Sequence, residues 1–241
     1  MWKKILFMIP FVGIISLGEL FGATKIDEEL SYILWNSIFG SLSEGNIATI
    51  VLSMKTISSI FLFVLLYGNY IAEYFADVAN IYFVRVQSRK VWTARKSMEL
   101  IVYAFFYSLL FIVLQTIVCS LRVENLVVDR VLIQTVLIIA GILVPVLVAL
   151  TILVNGIATK WGISVGVLVA VVLTVGLEVV AIIGYNRWEN IVLNPLCFNI
   201  YLLEDRQSIL YKIITNFIYV GISFGGLILY LDRLDIWGKE N

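Results

Sequence analysis

Apolar runs of about twenty residues recur along this chain, and each one dictates how its own backbone must be satisfied. In hydrocarbon every peptide N–H and C=O needs a partner within the chain, so an isolated run of this kind crosses as a helix. About 20 residues span the roughly 30 Å apolar layer of a bilayer. Six segments qualify: Ile5–Phe21, Ile47–Tyr67, Leu100–Cys119, Val131–Leu153, Ile163–Gly184 and Ile213–Leu231. The fourth carries Pro145, where a kink is expected. Over the whole chain 61% of residues are hydrophobic and 14% charged, against about 45–50% and about 25% in a soluble domain. Such an excess does not fit inside one core, so much of the surface faces lipid. The expected fold is an all-α integral membrane protein, with residues 1–241 forming a single transmembrane domain.

The same composition removes several functions. The net charge is zero, which argues against nucleic acid, because neutralising phosphates needs a surplus of Lys and Arg. There is no His, the commonest acid/base group and metal ligand. Cys119 and Cys197 are too few and too far apart for a metal motif. Intramembrane metalloproteases, lipid phosphatases and rhomboid-like hydrolases all need His, and a presenilin-type protease needs two intramembrane Asp, which no span core contains. No enzyme, metal site or cofactor is expected in this chain. Its N-terminus, "MWKKILFMIPFVGIISLGELFGA", has the lysines and apolar run of a signal peptide. Phe21 would sit at the −3 position of any cleavage site there, so the expectation is an uncleaved first span.

Six spans put both termini on one side, and the cation distribution says which. With the N-terminus inside, the inner segments hold ten cations: Lys3, Lys4, Arg85, Arg89, Lys90, Arg95, Lys96, Lys160, Arg233 and Lys239. The outer segments hold six: Lys25, Arg122, Arg130, Arg187, Arg206 and Lys212. The expected topology therefore has cytoplasmic termini and a cytoplasmic segment 68–99 between spans two and three. That placement also puts Cys119 and Cys197 on one outer side, where a disulfide and two separate thiols both remain open.

Within the cytoplasmic segment, "NYIAEYFADVANIYFV" (residues 69–84) has helical spacing. Asn69, Glu73, Asp77 and Asn80 fall on one face, and nearly everything else is apolar or aromatic. A helix lying on lipid favours Lys and Arg on its polar face, yet this stripe is acidic. The cations follow in "FVRVQSRKVWTARK", which concentrates Arg85, Arg89, Lys90, Arg95 and Lys96. Docking on a partner and a plain interfacial elbow with a topology-setting basic turn are the two readings of this segment.

At these residues the chain resembles a permease subunit of the ABC-2 transporter superfamily. That family has six spans, cytoplasmic termini and a helical elbow between spans two and three. The elbow carries an acidic residue, a Pro-x-Ser-Arg-like turn and a Lys at the entry to span three. Asp77, Ser88–Arg89 and Lys96 stand in those places, while Val86–Gln87 stands where Pro is usual and the glycine after the acidic residue is missing. Small peptide or bacteriocin export and immunity permeases of Gram-positive bacteria are the most similar. The resemblance implies a homodimer in the plasma membrane that binds two copies of a separate ATPase through the elbow. ATP and Mg would be held by that partner, in keeping with the lack of a G-x-x-x-x-G-K-[ST] loop here. The docking residues implied are Asn69, Glu73, Asp77, Asn80, Arg85, Arg89 and Lys96. An ATP-independent channel, sensor or immunity protein is the alternative function.

Charges within spans are costly and tend to be paired or functional. Glu19, Lys55 and Glu178 all fall in the outer half of the expected bilayer, so an ion-paired cluster is open to them, as is snorkelling. Gly18/Gly22, Gly162/Gly166 and Gly221/Gly225 have the spacing of close helix contacts. Residues 185–212, interrupted by Asn194–Pro195, are expected to form short re-entrant or interfacial helices before span six.

Overall fold

The computed structural model describes residues 2–17, 29–39, 47–75, 89–123, 129–184 and 206–233. These residues are almost entirely helical: α1 (Trp2–Leu17), α2 (Leu30–Phe39), α3 (Ile47–Tyr67), α4 (Arg89–Ser120), α5 (Arg130–Trp161), α6 (Ile163–Gly184) and α7 (Arg206–Arg233). After α3 the chain breaks at 68–69 and is helical again over 70–75. Four stretches are long and apolar enough to cross a membrane: Ile57–Phe75, Arg89–Ser120, Arg130–Trp161 and Ile213–Arg233. A shorter apolar stretch, Ile163–Gly176, lies in α6.

The ends of α5 show how local chemistry fixes an element. Asp129 is its N-cap, accepting from Leu132 N at 2.8 Å, which satisfies one of the N–H groups a helix start leaves open. Gly162 is its C-cap; its N–H donates to Ala158 O at 3.1 Å with φ at +85°, a conformation glycine adopts without penalty. Lys160 in the last turn complements the helix dipole. Pro145 is accommodated inside this one continuous helix. Because a single residue separates α5 from α6, the chain folds straight back. Gly166 then approaches so closely that a Cβ there would stand 2.8 Å from Val154 O.

Contacts between named residues give the helix directions. Ser59 on α3 meets Tyr107 on α4, and further along the chain, just past the end of α3, Tyr70 meets the earlier Glu99, so α3 and α4 are antiparallel. Lys90 at the start of α4 pairs with Asp232 at the end of α7, 3.2 Å apart, so these two are antiparallel as well. A Cβ at Gly141 would lie 3.6 Å from Ile213 Cδ1, and one at Gly156 would lie 3.3 Å from Leu227 Cδ1, so α5 and α7 are parallel. Hence α3, α5 and α7 point one way and α4 the other.

Enclosure falls off from the centre outward. More than half of Ile57–Phe75 is buried, whereas little of α7 is, which leaves α7 at the periphery. Fully buried Phe63, Tyr67 and Tyr107 meet in the α3–α4 seam. One helix was not expected. Residues 30–39 lie in what reads as an outer connection, yet "LSYILWNSIF" forms α2 and buries Leu34, Trp35 and Ile38. Ten residues rise only about 15 Å, so α2 packs on the side of other helices instead of crossing. Ser37 receives hydrogen bonds from Gln115 Nε2 at 3.1 Å and Cys119 Sγ at 3.5 Å, both on α4. Cys119 thus keeps a thiol; Cys197 lies outside the described residues. The last helix starts at Arg206, earlier than the expected Ile213, so residues 206–212 belong to it and not to a separate interfacial piece. The rest of 185–212 lies outside the described residues.

Candidate functional site

A helix that stops and restarts exposes carbonyls at the first end and N–H groups at the second. The break at Gly68–Asn69 does this inside the fold, and the side chain that meets it comes from α5. Asn155 is fully buried. Its Nδ2 donates to Tyr67 O at 2.9 Å, and its Oδ1 accepts from Ile71 N at 2.6 Å and Ala72 N at 3.3 Å. The second Nδ2 hydrogen goes to Thr151 O at 2.8 Å within α5 itself. One amide therefore serves both sides of the break. Gly68 lets the elements close up: a Cβ there would lie 2.8 Å from Val154 Cγ1, the neighbour of Asn155.

The opposite side of the joint is fastened to α4. Tyr70 donates its hydroxyl to Glu99 Oε2. Lys96 Nζ donates to the same carboxylate oxygen at 2.8 Å and to Tyr70 OH at 3.2 Å, while lying 4.6 Å from the Tyr74 ring centroid. Tyr103 stacks on Tyr67 at 5.4 Å and meets Tyr70 edge-on at 6.2 Å. Phe75 packs against Trp92 at 6.0 Å. Cation–π and charge-assisted contacts gain strength where water is excluded. The Lys96 side chain is only 17% exposed, whereas Arg95, 3.9 Å from Glu99 Oε1, is 76% exposed.

The residues implied for docking are thus divided. Asn69 sits half-buried in the break, and Glu73 is exposed one turn on, its N–H bonded to Asn69 O at 2.8 Å. Arg89 opens α4 and is half-buried. Lys96 is turned into the tyrosine–carboxylate cage. Asp77, Asn80 and Arg85 lie outside the described residues, as does the elbow beyond residue 75. Of the intramembrane charges, Glu19 lies outside them too. Lys55 is placed on α3 and Glu178 on α6, their side chains outside what is described. Among the described residues no group of His, Cys, Asp and Glu is placed to hold a metal.

Sequence reasoning missed Asn155, Tyr70 and Glu99. Asn155 had a signal of its own, a lone amide in "LVALTILVNGIA", since polar groups in apolar helices mark contacts. Glu99, three residues after Lys96, had the spacing of a helical ion pair. Compared with family models, curated proteins and solved structures, the chain matches none.

Proposed function

We propose that this chain is the permease subunit of an ATP-driven exporter of the ABC-2 type, moving or extracting a peptide or other amphipathic substrate. In this reading it has six spans with both termini cytoplasmic, resides in the plasma membrane as a homodimer, and is energised by two copies of a separate ATPase. The single observation that supports it best is the joint after α3. A segment that receives a push from a cytoplasmic partner can move the membrane helices only if it is fixed to them. Residues 67–75 are fastened to α5 through Asn155 and to α4 through Tyr70, Glu99 and Lys96. With Lys96 engaged in the cage, the surface offered to the ATPase comprises Asn69, Glu73, Asp77, Asn80, Arg85 and Arg89, acidic first and basic after, an arrangement that favours a single docking orientation.

Affinity purification of the full chain from native membranes tests this. The expected result is a co-purifying ATPase with a phosphate loop, lost on Asp77→Arg or Arg89→Glu while membrane insertion is unchanged. Purification without any ATPase, or two variants that retain it and stimulate hydrolysis like the parent, overturns the reading.

A further inference from the structure

Glu99 faces two cations with a single negative charge. Lys96 Nζ stands 2.8 Å from its Oε2, and Arg95 Nε stands 3.9 Å from its Oε1. Among the described residues neither cation pairs with any other carboxylate. A positive charge is therefore left uncancelled on this turn of α4. Its seat is Arg95. Lys96 is turned into the cage, whereas the Arg95 side chain is 76% exposed, and among the described residues no group hydrogen-bonds its guanidinium. Lys90, nearer the start of the same helix, is matched by Asp232 at 3.2 Å.

The surroundings of this charge are apolar. Val91, Met98 and Val102 share the Arg95 face of α4 by helical spacing, and all three are exposed. Phe106 and Val113, exposed as well, carry the stripe further along the helix. Its depth follows from the joint. Tyr67 meets Asn155 on α5 and Tyr70 meets Glu99 on α4, so Asn155 and Glu99 share a level to within a turn. Arg95 lies about 6 Å from Glu99 toward the start of α4, and Trp161 about 9 Å from Asn155 toward the end of α5, at the rise of an α-helix. The two helices run oppositely, so both displacements point to the same end. Trp161 is exposed there, with Lys160 Nζ 4.9 Å from its ring, a pairing typical of the membrane–water boundary. Arg95 thus stands at that boundary, and its apolar stripe descends into the bilayer.

We propose that this face of α4 binds an anionic phospholipid, its phosphate on the Arg95 guanidinium and an acyl chain along Met98, Val102 and Phe106. The chemistry selects the ligand. A guanidinium presents paired donors that match phosphate oxygens. The apolar side chains flanking Arg95 suit a molecule that is charged at one end and hydrocarbon at the other, which a soluble acidic partner is not. The uncancelled charge then discriminates among lipids. A zwitterionic headgroup brings its own ammonium and leaves the surplus in place. A phospholipid with one net negative charge removes it. Bound there, the lipid also acts on the cage. With Arg95 neutralised from the lipid side, Glu99 is left to Lys96 and Tyr70, the contacts that fasten residues 70–75 to α4.

Native mass spectrometry of the full chain in detergent tests the site, with dioleoylphosphatidylglycerol and dioleoylphosphatidylcholine offered in equal amounts. The expected result is a preference for phosphatidylglycerol adducts in the parent chain. Arg95→Gln, with parental helix content, should lower that preference about fivefold, the ratio that one cation beside an anionic lipid surface is worth. Lys160→Gln makes the same change of net charge at the same depth on α5 and should leave the preference as it was. A parent chain that binds both lipids equally overturns the proposal, whatever the variants do. So does a preference that survives Arg95→Gln, or one that Lys160→Gln lowers as much, since the basic end of the molecule would then act as a diffuse charge without a site. The assay reads the chain alone, so its outcome is independent of any ATPase.

Discussion

Asn155 substitutes for backbone at the break beyond Tyr67: its Nδ2 holds the Tyr67 carbonyl at 2.9 Å while its Oδ1 takes the N–H groups of the turn that follows. A single side chain thereby makes the joint part of α5, and removing it tests that directly. Asn155→Ala leaves one carbonyl and two N–H groups buried without their partner, each costing about 1–3 kcal/mol. The expected outcome is a clear drop in thermal stability, with faster hydrogen exchange at Ile71 and Ala72 than at residues in mid-α4. Asn155→Asp keeps the acceptor but loses the donor to Tyr67, so exchange at Ile71 should be less affected by that variant.

The tyrosine–carboxylate cage is expected to act as a unit. Tyr70→Phe removes the hydroxyl that donates to Glu99 and retains every ring contact. A hydrogen bond to a charged group is worth about 1.5–3 kcal/mol, so a loss of that order is expected in thermal unfolding. Combining it with Glu99→Gln should cost less than the two single changes added together, because both remove the same bond. Strict additivity would show that the cage carries no coupling.

Close approach at the α5–α6 turn gives a third outcome. Gly166→Ala places a methyl 2.8 Å from Val154 O, a backbone atom that cannot swing aside. Overpacking of this kind costs about 1–3 kcal/mol. Gly225→Ala, where a Cβ meets nothing within 4 Å, should raise the stability of the isolated chain by the helix-propensity difference, about 0.5–1 kcal/mol. Thermal scans of the two variants in parallel decide between packing and mere helix propensity, since both exchange glycine for alanine within a helix.

Topology is tested by sidedness. In a background without Cys119 and Cys197, cysteines at Ser88 and Ser208 should react with an impermeant thiol reagent from opposite faces of the membrane. Ser88 immediately precedes α4, and Ser208 lies in the first turn of α7. Labelling from the same face would contradict the antiparallel packing that the Lys90–Asp232 pair records.

The helical, apolar character of the chain was legible in the sequence because it depends on local hydrophobicity alone, and four of the expected stretches are long and apolar enough to cross a membrane. The start of α5 at Asp129 and its end at Gly162 carry cap chemistry that is equally local. The joint was not legible. The break at Gly68–Asn69 has its hydrogen bonds supplied by Asn155, far along the chain, and periodicity carries no record of that pairing. Lys96 misled for the same reason. Its position in a basic run suggested a surface cation, but Tyr70 and Tyr74 from the segment after α3, with Glu99 one turn on, draw it inward. Helix α2 was hidden by length: ten residues, seven of them apolar, are too short to register as a span and too apolar for an exposed connection.

The shared direction of α5 and α7 has a consequence for the chain between them. Two strokes made in the same sense across a bilayer require one net return stroke, as two downward steps on a staircase of fixed height require a climb between. Helix α6, which turns back along α5 at Gly162, is the described part of that return. In a bilayer that both helices cross, that parity sets Asp129 and Arg206 on one face and Trp161 and Arg233 on the other.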